Sequence, residues 1–367
     1  MSHPARLRSA STIGALLLVA SCGTRSALDA DPAPDLDSGT IGTPGPLRSD
    51  DAGAPDGASP VGTDDAALPR GPRVVLFGGD GINGQTASGA PILSDTWMFD
   101  GASWSPVVTS VSPPARTMAS MASVGVGDRA RVLLFGGLGT DGLPMNDTWL
   151  FDGASWSQVQ SPTAPPARFG ASVAPLGDRV VLFGGQAQFV LALADTWVFD
   201  GTEWSAVPGA GPPARWLATM GAVGDEVLLF GGAGPSGAAL GDTWTFDGAT
   251  WSSEGALVAP PARYGATSAT LDTTFYVFGG MSGFTDDATS LGDTWAFDGT
   301  EWTATSVTGA PPPAYPAAAA PLQGSLVGIE VFDNATTTWT FDGTSWSETG
   351  GDAPFMPRVM ASMGLLR

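Results

Sequence analysis

The chain has 367 residues and a net charge of −21, with 51 glycines and 31 prolines. All fifteen basic residues are arginine, and an acid excess of this size speaks against nucleic acid or an anionic membrane surface as partner. His3 is the only histidine and Cys22 the only cysteine, so an intramolecular disulfide, histidine zinc sites and Ser-His or Cys-His nucleophiles are excluded.

In chain order, Arg6 and Arg8 precede a short apolar run, Ile13 to Ala20, which is too short to span a bilayer. Val19-Ala20-Ser21-Cys22 resembles a bacterial lipobox. The resemblance implies that residues 1–21 are a lipoprotein signal peptide and that Cys22 carries the lipid, each buried methylene contributing ~0.8 kcal/mol to anchoring. An ordinary secretory signal with an incidental cysteine is the alternative. The expected address is the bacterial cell envelope. Gly23 stands where an inner-membrane retention aspartate would be, which favours the outer membrane. Residues 22–69 are rich in Asp, Ala, Pro, Gly and Ser and poor in large apolar residues, so a disordered acidic tether is expected. Asp50-Asp51 and Asp64-Asp65 within it read as solvated charge rather than a calcium site.

Residues 70–367 repeat with a period of about 50 residues. Each copy supplies strand-sized segments. Segment A follows Pro-Pro-Ala-Arg, as in Pro165 to Leu176. Segment B ends in Gly-Gly, as in Val180 to Gly185. Segment C is Asp-Thr-Trp-x-Phe, as at Asp195, and segment D opens on a second tryptophan, as at Trp204. Asp-Gly joins C to D in six copies, a dipeptide suited to the positive φ of a tight hairpin turn. The first copy opens directly on B. The last residues, Val359 to Leu366, form an A segment with no B after it.

Phe183-Gly-Gly185, Asp195 to Asp200 and Trp204, with their equivalents, resemble the kelch repeats of β-propellers, including the galactose-oxidase-like central domain. The resemblance implies an all-β, six-bladed propeller with four antiparallel strands per blade, closed by the C-terminal strand completing blade 1. Two tryptophans per blade would fill the wedge between neighbours. A copper oxidase of the galactose oxidase type needs histidine ligands and a tyrosine crosslinked to cysteine, which this chain cannot assemble. No cofactor or metal is expected.

Two sets of charges recur: Arg116, Arg168, Arg215, Arg263 and Arg358 at the start of A, and Asp95, Asp147, Asp195, Asp242 and Asp293 at the start of C. A and C are two strand spacings apart, about 9–10 Å, and glycine in B would let the arginine reach over to the aspartate. The sixth copy has Tyr315, Thr337 and no Gly-Gly, so all three features disappear together. That co-loss supports a structural pair within each blade. The alternative is an arginine ring at the channel mouth holding an acidic ligand. Phe169, Trp216 and Tyr264 follow three of the arginines, and Phe189 and Phe284 lie in variable B–C loops beside Asp286 and Asp287, which also carry a calcium alternative. Arginine beside an aromatic ring makes a plausible surface for sugar or peptide, with packing at the blade edge as the alternative. The reading is an envelope-anchored, monomeric binding module for a protein or glycan of the envelope. An alternative is a carbohydrate-acting enzyme, mutarotase or lyase in type, using Arg with Asp or Glu at the channel mouth.

Overall fold

The computed structural model describes residues 71–82, 91–188, 191–255, 258–284, 288–309, 318–332 and 335–367. Cys22, the signal and tether segments, Phe189, Asp286, Asp287 and Tyr315 lie outside the described residues.

The fold is an all-β, six-bladed propeller with four antiparallel strands per blade. In blade 3, A is Ser172–Leu176, B is Arg179–Phe183, C is Thr196–Phe199 and D is Trp204–Val207. Blades 4 and 5 repeat this plan. Blade 1 takes B (Arg73–Gly81), C (Ile92–Phe99) and D (Trp104–Val107) from the start of the propeller. Its A strand comes from the C-terminus as Arg358–Val359 and Ser362–Leu366. Val74 faces Leu365 and Phe77 faces Ser362 in antiparallel register, so the two ends of the repeat array share one sheet.

The B strands of blades 1 to 4 are runs of apolar residues buried on both faces, such as Val180 to Phe183 in blade 3. The A and C strands flank them and are also largely covered, with partly open positions such as Val173, Pro175 and Trp197 in blade 3. At the C–D turn the Asp carboxylate accepts from two backbone amides; Asp200 Oδ1 takes those of Thr202 and Glu203 at 2.8 and 2.9 Å. Gly201 between them has φ +99°, which a side chain would strain.

Both tryptophans of a blade pack into the apolar core it shares with the preceding blade, the D tryptophan more deeply in most blades. Trp204 packs on Phe199 of its own blade and edge-on against Phe135 of blade 2, with centroids 5.1 and 5.3 Å away. Its indole Nε1 donates to Thr148 Oγ1 of blade 2 at 2.9 Å. The same stitch recurs from Trp104, Trp156, Trp251 and Trp302 to a threonine of the preceding blade. The N–H of the C tryptophan stays within its own blade: Trp197 Nε1 donates to Asp195 Oδ2, two residues back, at 2.7 Å. Both tryptophans therefore fill the wedge as expected, and they differ in what their indole N–H groups bond.

Blade 6 departs from the plan. Glu330 occupies the position of the first glycine and Thr337 that of the aspartate. Without the glycine kink its B and C strands run on unbroken, Ser325–Phe332 against Ala335–Phe341.

Candidate functional site

The A starts, B ends and C starts lie at one edge of every blade, so their loops share the face around one mouth of the central channel. On this face each arginine is fully buried, 0–1% exposed, while its aspartate side chain keeps 18–41% of its surface open. Arg168 shows the plan. Nη1 and Nη2 donate to Asp195 Oδ1 and Oδ2 at 2.6 and 2.7 Å, Nη1 also to the Gly184 carbonyl at 2.9 Å, and Nε to the Pro166 carbonyl at 2.9 Å. Arg116–Asp147, Arg215–Asp242, Arg263–Asp293 and Arg358–Asp95 repeat it. Arg358–Asp95 joins the C-terminal strand to the first repeat, and Phe355 packs under its guanidinium at 4.8 Å.

Burial alone would raise each of these aspartate carboxyls. The arginine's hydrogen bonds and charge, together with the indole donor, outweigh it and hold all five below the usual carboxylate range.

The Gly-Gly pair serves the next blade as well as its own. Gly136 has φ +61°, and a Cβ there would lie 2.6 Å from the Arg168 carbonyl oxygen of blade 3. The amide of Gly137 donates to that same carbonyl at 2.9 Å, and the Arg168 amide donates to the Met145 carbonyl of blade 2 at 2.9 Å. The arginine thus closes its own blade with its side chain and joins the preceding blade with its backbone. Its guanidinium is sealed from any external ligand, so the arginine ring cannot capture an acidic group in this conformation.

Two residues after each arginine the chain turns left-handed. Gly170 and Gly265 have φ +60° there, but Met118, Leu217 and Met360 hold φ +51°, +51° and +53°. A non-glycine residue in this region costs about 1–3 kcal/mol. These residues form a main-chain belt around the channel mouth. The Met118 amide donates to Met360 O, that of Gly170 to Met118 O, that of Leu217 to Gly170 O and that of Gly265 to Leu217 O, at 2.8–3.1 Å. Below the belt, the Ser362, Ser120 and Ser172 hydroxyls donate to the Ala119, Ala171 and Ala218 carbonyls of the following blades. The described channel lining carries no charged residue.

Beside the mouth, four of the expected aromatics come together. Phe169 meets Trp216 edge-on at 5.9 Å; Trp216 stacks on Phe284 at 5.7 Å; Phe284 stacks on Tyr264 at 3.9 Å. The Tyr264 hydroxyl donates to Gly283 O at 3.0 Å. Phe169 and Tyr264 are buried, leaving Trp216 and Phe284 as the half-open rings. Sequence reasoning missed Met118, Leu217 and Met360. The signal was present, because aligning the repeats puts glycine at this position in two blades, a mark of positive φ. It also passed over Asp80, whose carboxyl burial pushes up against a 3.2 Å hydrogen bond from Thr117. Among the described residues no group of three or more His, Cys, Asp or Glu is arranged to hold a metal.

The family model described as the KLHDC2/KLHL20/DRC7 Kelch-repeats domain matches residues 65–208 and 201–349. No curated protein matches the chain.

Proposed function

The chain belongs to the Kelch-repeat domain family, and from that premise we propose that it is a protein-binding module of the cell envelope. Kelch propellers commonly mediate protein interactions. The observation that carries the reading here is the half-open Trp216–Phe284 stack beside a channel mouth whose five repeat arginines are all paired. Aromatic rings half-sunk in a rigid frame offer contact area at little entropic cost, the usual make-up of interface anchors. We further propose that Cys22 anchors the protein by lipid and that residues 22–69 space the propeller from the membrane. An envelope glycan is the second ligand class the aromatic face would accept. The carbohydrate-enzyme alternative needs unpaired arginines beside a perturbed carboxylate. Asp80 supplies the carboxylate, but the five repeat arginines are paired.

The test is capture from solubilised envelope by the full chain and by Trp216→Ala/Phe284→Ala. A protein retained by the parent and lost by the variant supports the reading; equal capture by both overturns it. Cys22→Ala should abolish incorporation of labelled palmitate, and persistent labelling would remove the anchor proposal.

A further inference from the structure

We infer that the channel-mouth face binds a basic segment of its partner that carries an apolar anchor. This is the opposite charge preference to the one the repeated arginines imply, and it rests on the protein-binding reading of this face.

Three observations converge. The first is the orientation of the five ion pairs. Each arginine is at the bottom of its pair and each aspartate at the top, so the ring turns its negative ends to solvent. The second is where the other arginines are. The propeller from Gly71 holds ten arginines against 27 acidic residues. Arg129, Arg131, Arg179 and Arg367 are the exposed ones, and all four sit at A–B turns or strand ends on the opposite face. Arg73 is buried at a B-strand start on that same far side. Among the described residues the channel-mouth face therefore exposes carboxylates and no cation.

The third is apolar exposure. Of the seven exposed large apolar side chains among the described residues, Val108, Val111, Leu143, Leu191, Val258 and Met356 lie in the B–C and D–A loops of this face. Only Val126 lies on the other. They share this face with the half-buried Trp216, Leu217, Met118 and Met360. Scattered apolar exposure is ordinary, but concentration on one face marks a contact surface. A ring of outward carboxylates about 10 Å outside an uncharged apolar mouth, given the A-to-C strand spacing, fits a segment with an apolar residue at its centre and Arg or Lys on its flanks.

The experiment is fluorescence polarisation of the full chain with three labelled peptides. They share one leucine-phenylalanine core, flanked by arginine, glutamine or glutamate. The arginine-flanked peptide should bind at least about tenfold more tightly than the glutamate-flanked one, with the difference shrinking as salt rises. Leu217→Gly provides a variant that need not harm the fold, because glycine is at ease at φ +51°. It should weaken the arginine-flanked peptide about tenfold while melting within a few degrees of the parent. Equal or tighter binding of the glutamate-flanked peptide would overturn the inference, as would arginine-peptide binding indifferent to Leu217→Gly. If the envelope partner is lost on Trp216→Ala/Phe284→Ala but competes only with the acidic peptide, the binding reading stands and the charge inference falls.

Discussion

A buried guanidinium with all its reach satisfied is costly to disturb. Replacing Arg215 by alanine leaves Asp242, Trp244 and the Gly231 carbonyl facing a hole. Breaking one side of a buried pair costs about 3–5 kcal/mol, so Arg215→Ala should lower unfolding free energy by that order in urea. The aspartates' depressed pKa values set the acid side. Their stabilisation is complete above the ordinary value of 3.8 and is lost as pH falls below it through the folded-state values. Glu330 works in the other direction. Burial and the nearby Glu348 charge raise it from 4.5, partly offset by the Trp339 indole, so its ionisation weakens the fold as pH climbs past 4.5 through the raised value. Glu330→Gln should remove that decline, which a melting series between pH 4 and 8 would reveal as a flatter curve. The pairs themselves were legible in the sequence, because blade 6 loses arginine, aspartate and glycine together. The second role of glycine was not. A repeat of fixed period looks the same whether a residue touches its own blade or the next.

At the scale of an element, the Gly-Gly kink and the Asp-Gly turn separate two costs of adding a Cβ. At Gly184 a Cβ would run into the Arg215 carbonyl of the next blade, in a backbone at φ +63°. At Gly201, φ is +99° and nothing lies within 4 Å. Gly184→Ala should therefore cost about 2–4 kcal/mol, conformational strain plus overpacking, against about 1–2 for Gly201→Ala. Equal losses would contradict the inter-blade account. Blade 6 is the weak sector by the same logic. It has no ion pair at Thr337, and the Trp346 Nε1 and Thr294 Oγ1 that should stitch it to blade 5 are buried without a partner among the described residues. Orphaned polar groups cost about 1–3 kcal/mol, so amides of Ser325–Phe332 should exchange with deuterium sooner than those of Arg179–Phe183. The strands themselves were readable from apolar runs, Asp-Gly turns and the spaced tryptophans. The different N–H partners of the two tryptophans were not, since period alone does not say whether an indole bonds within its own blade or to the neighbouring one.

Across the molecule, closure and recognition meet at the same strand. Ser362–Leu366 completes blade 1 and Arg358 ties it to Asp95, while Met360 between them belongs to the mouth belt. Removing residues 350–367 should expose the edge of Arg73–Gly81 and yield a lower-melting, self-associating protein, seen by light scattering; a monomer melting like the parent would contradict it. The sequence announced this closure through an A segment with no B to follow. The sign of the recognition face was hidden, because it depends on which member of each ion pair lies deeper. The most direct test of the account is deuterium exchange of the propeller with and without its captured partner. Protection centred on Trp216 to Thr219, the Gly283-Phe284 loop and Val359 to Ala361 is the predicted result. Protection confined to the A–B turns around Arg131 and Arg179, or to the outer D strands, would contradict it.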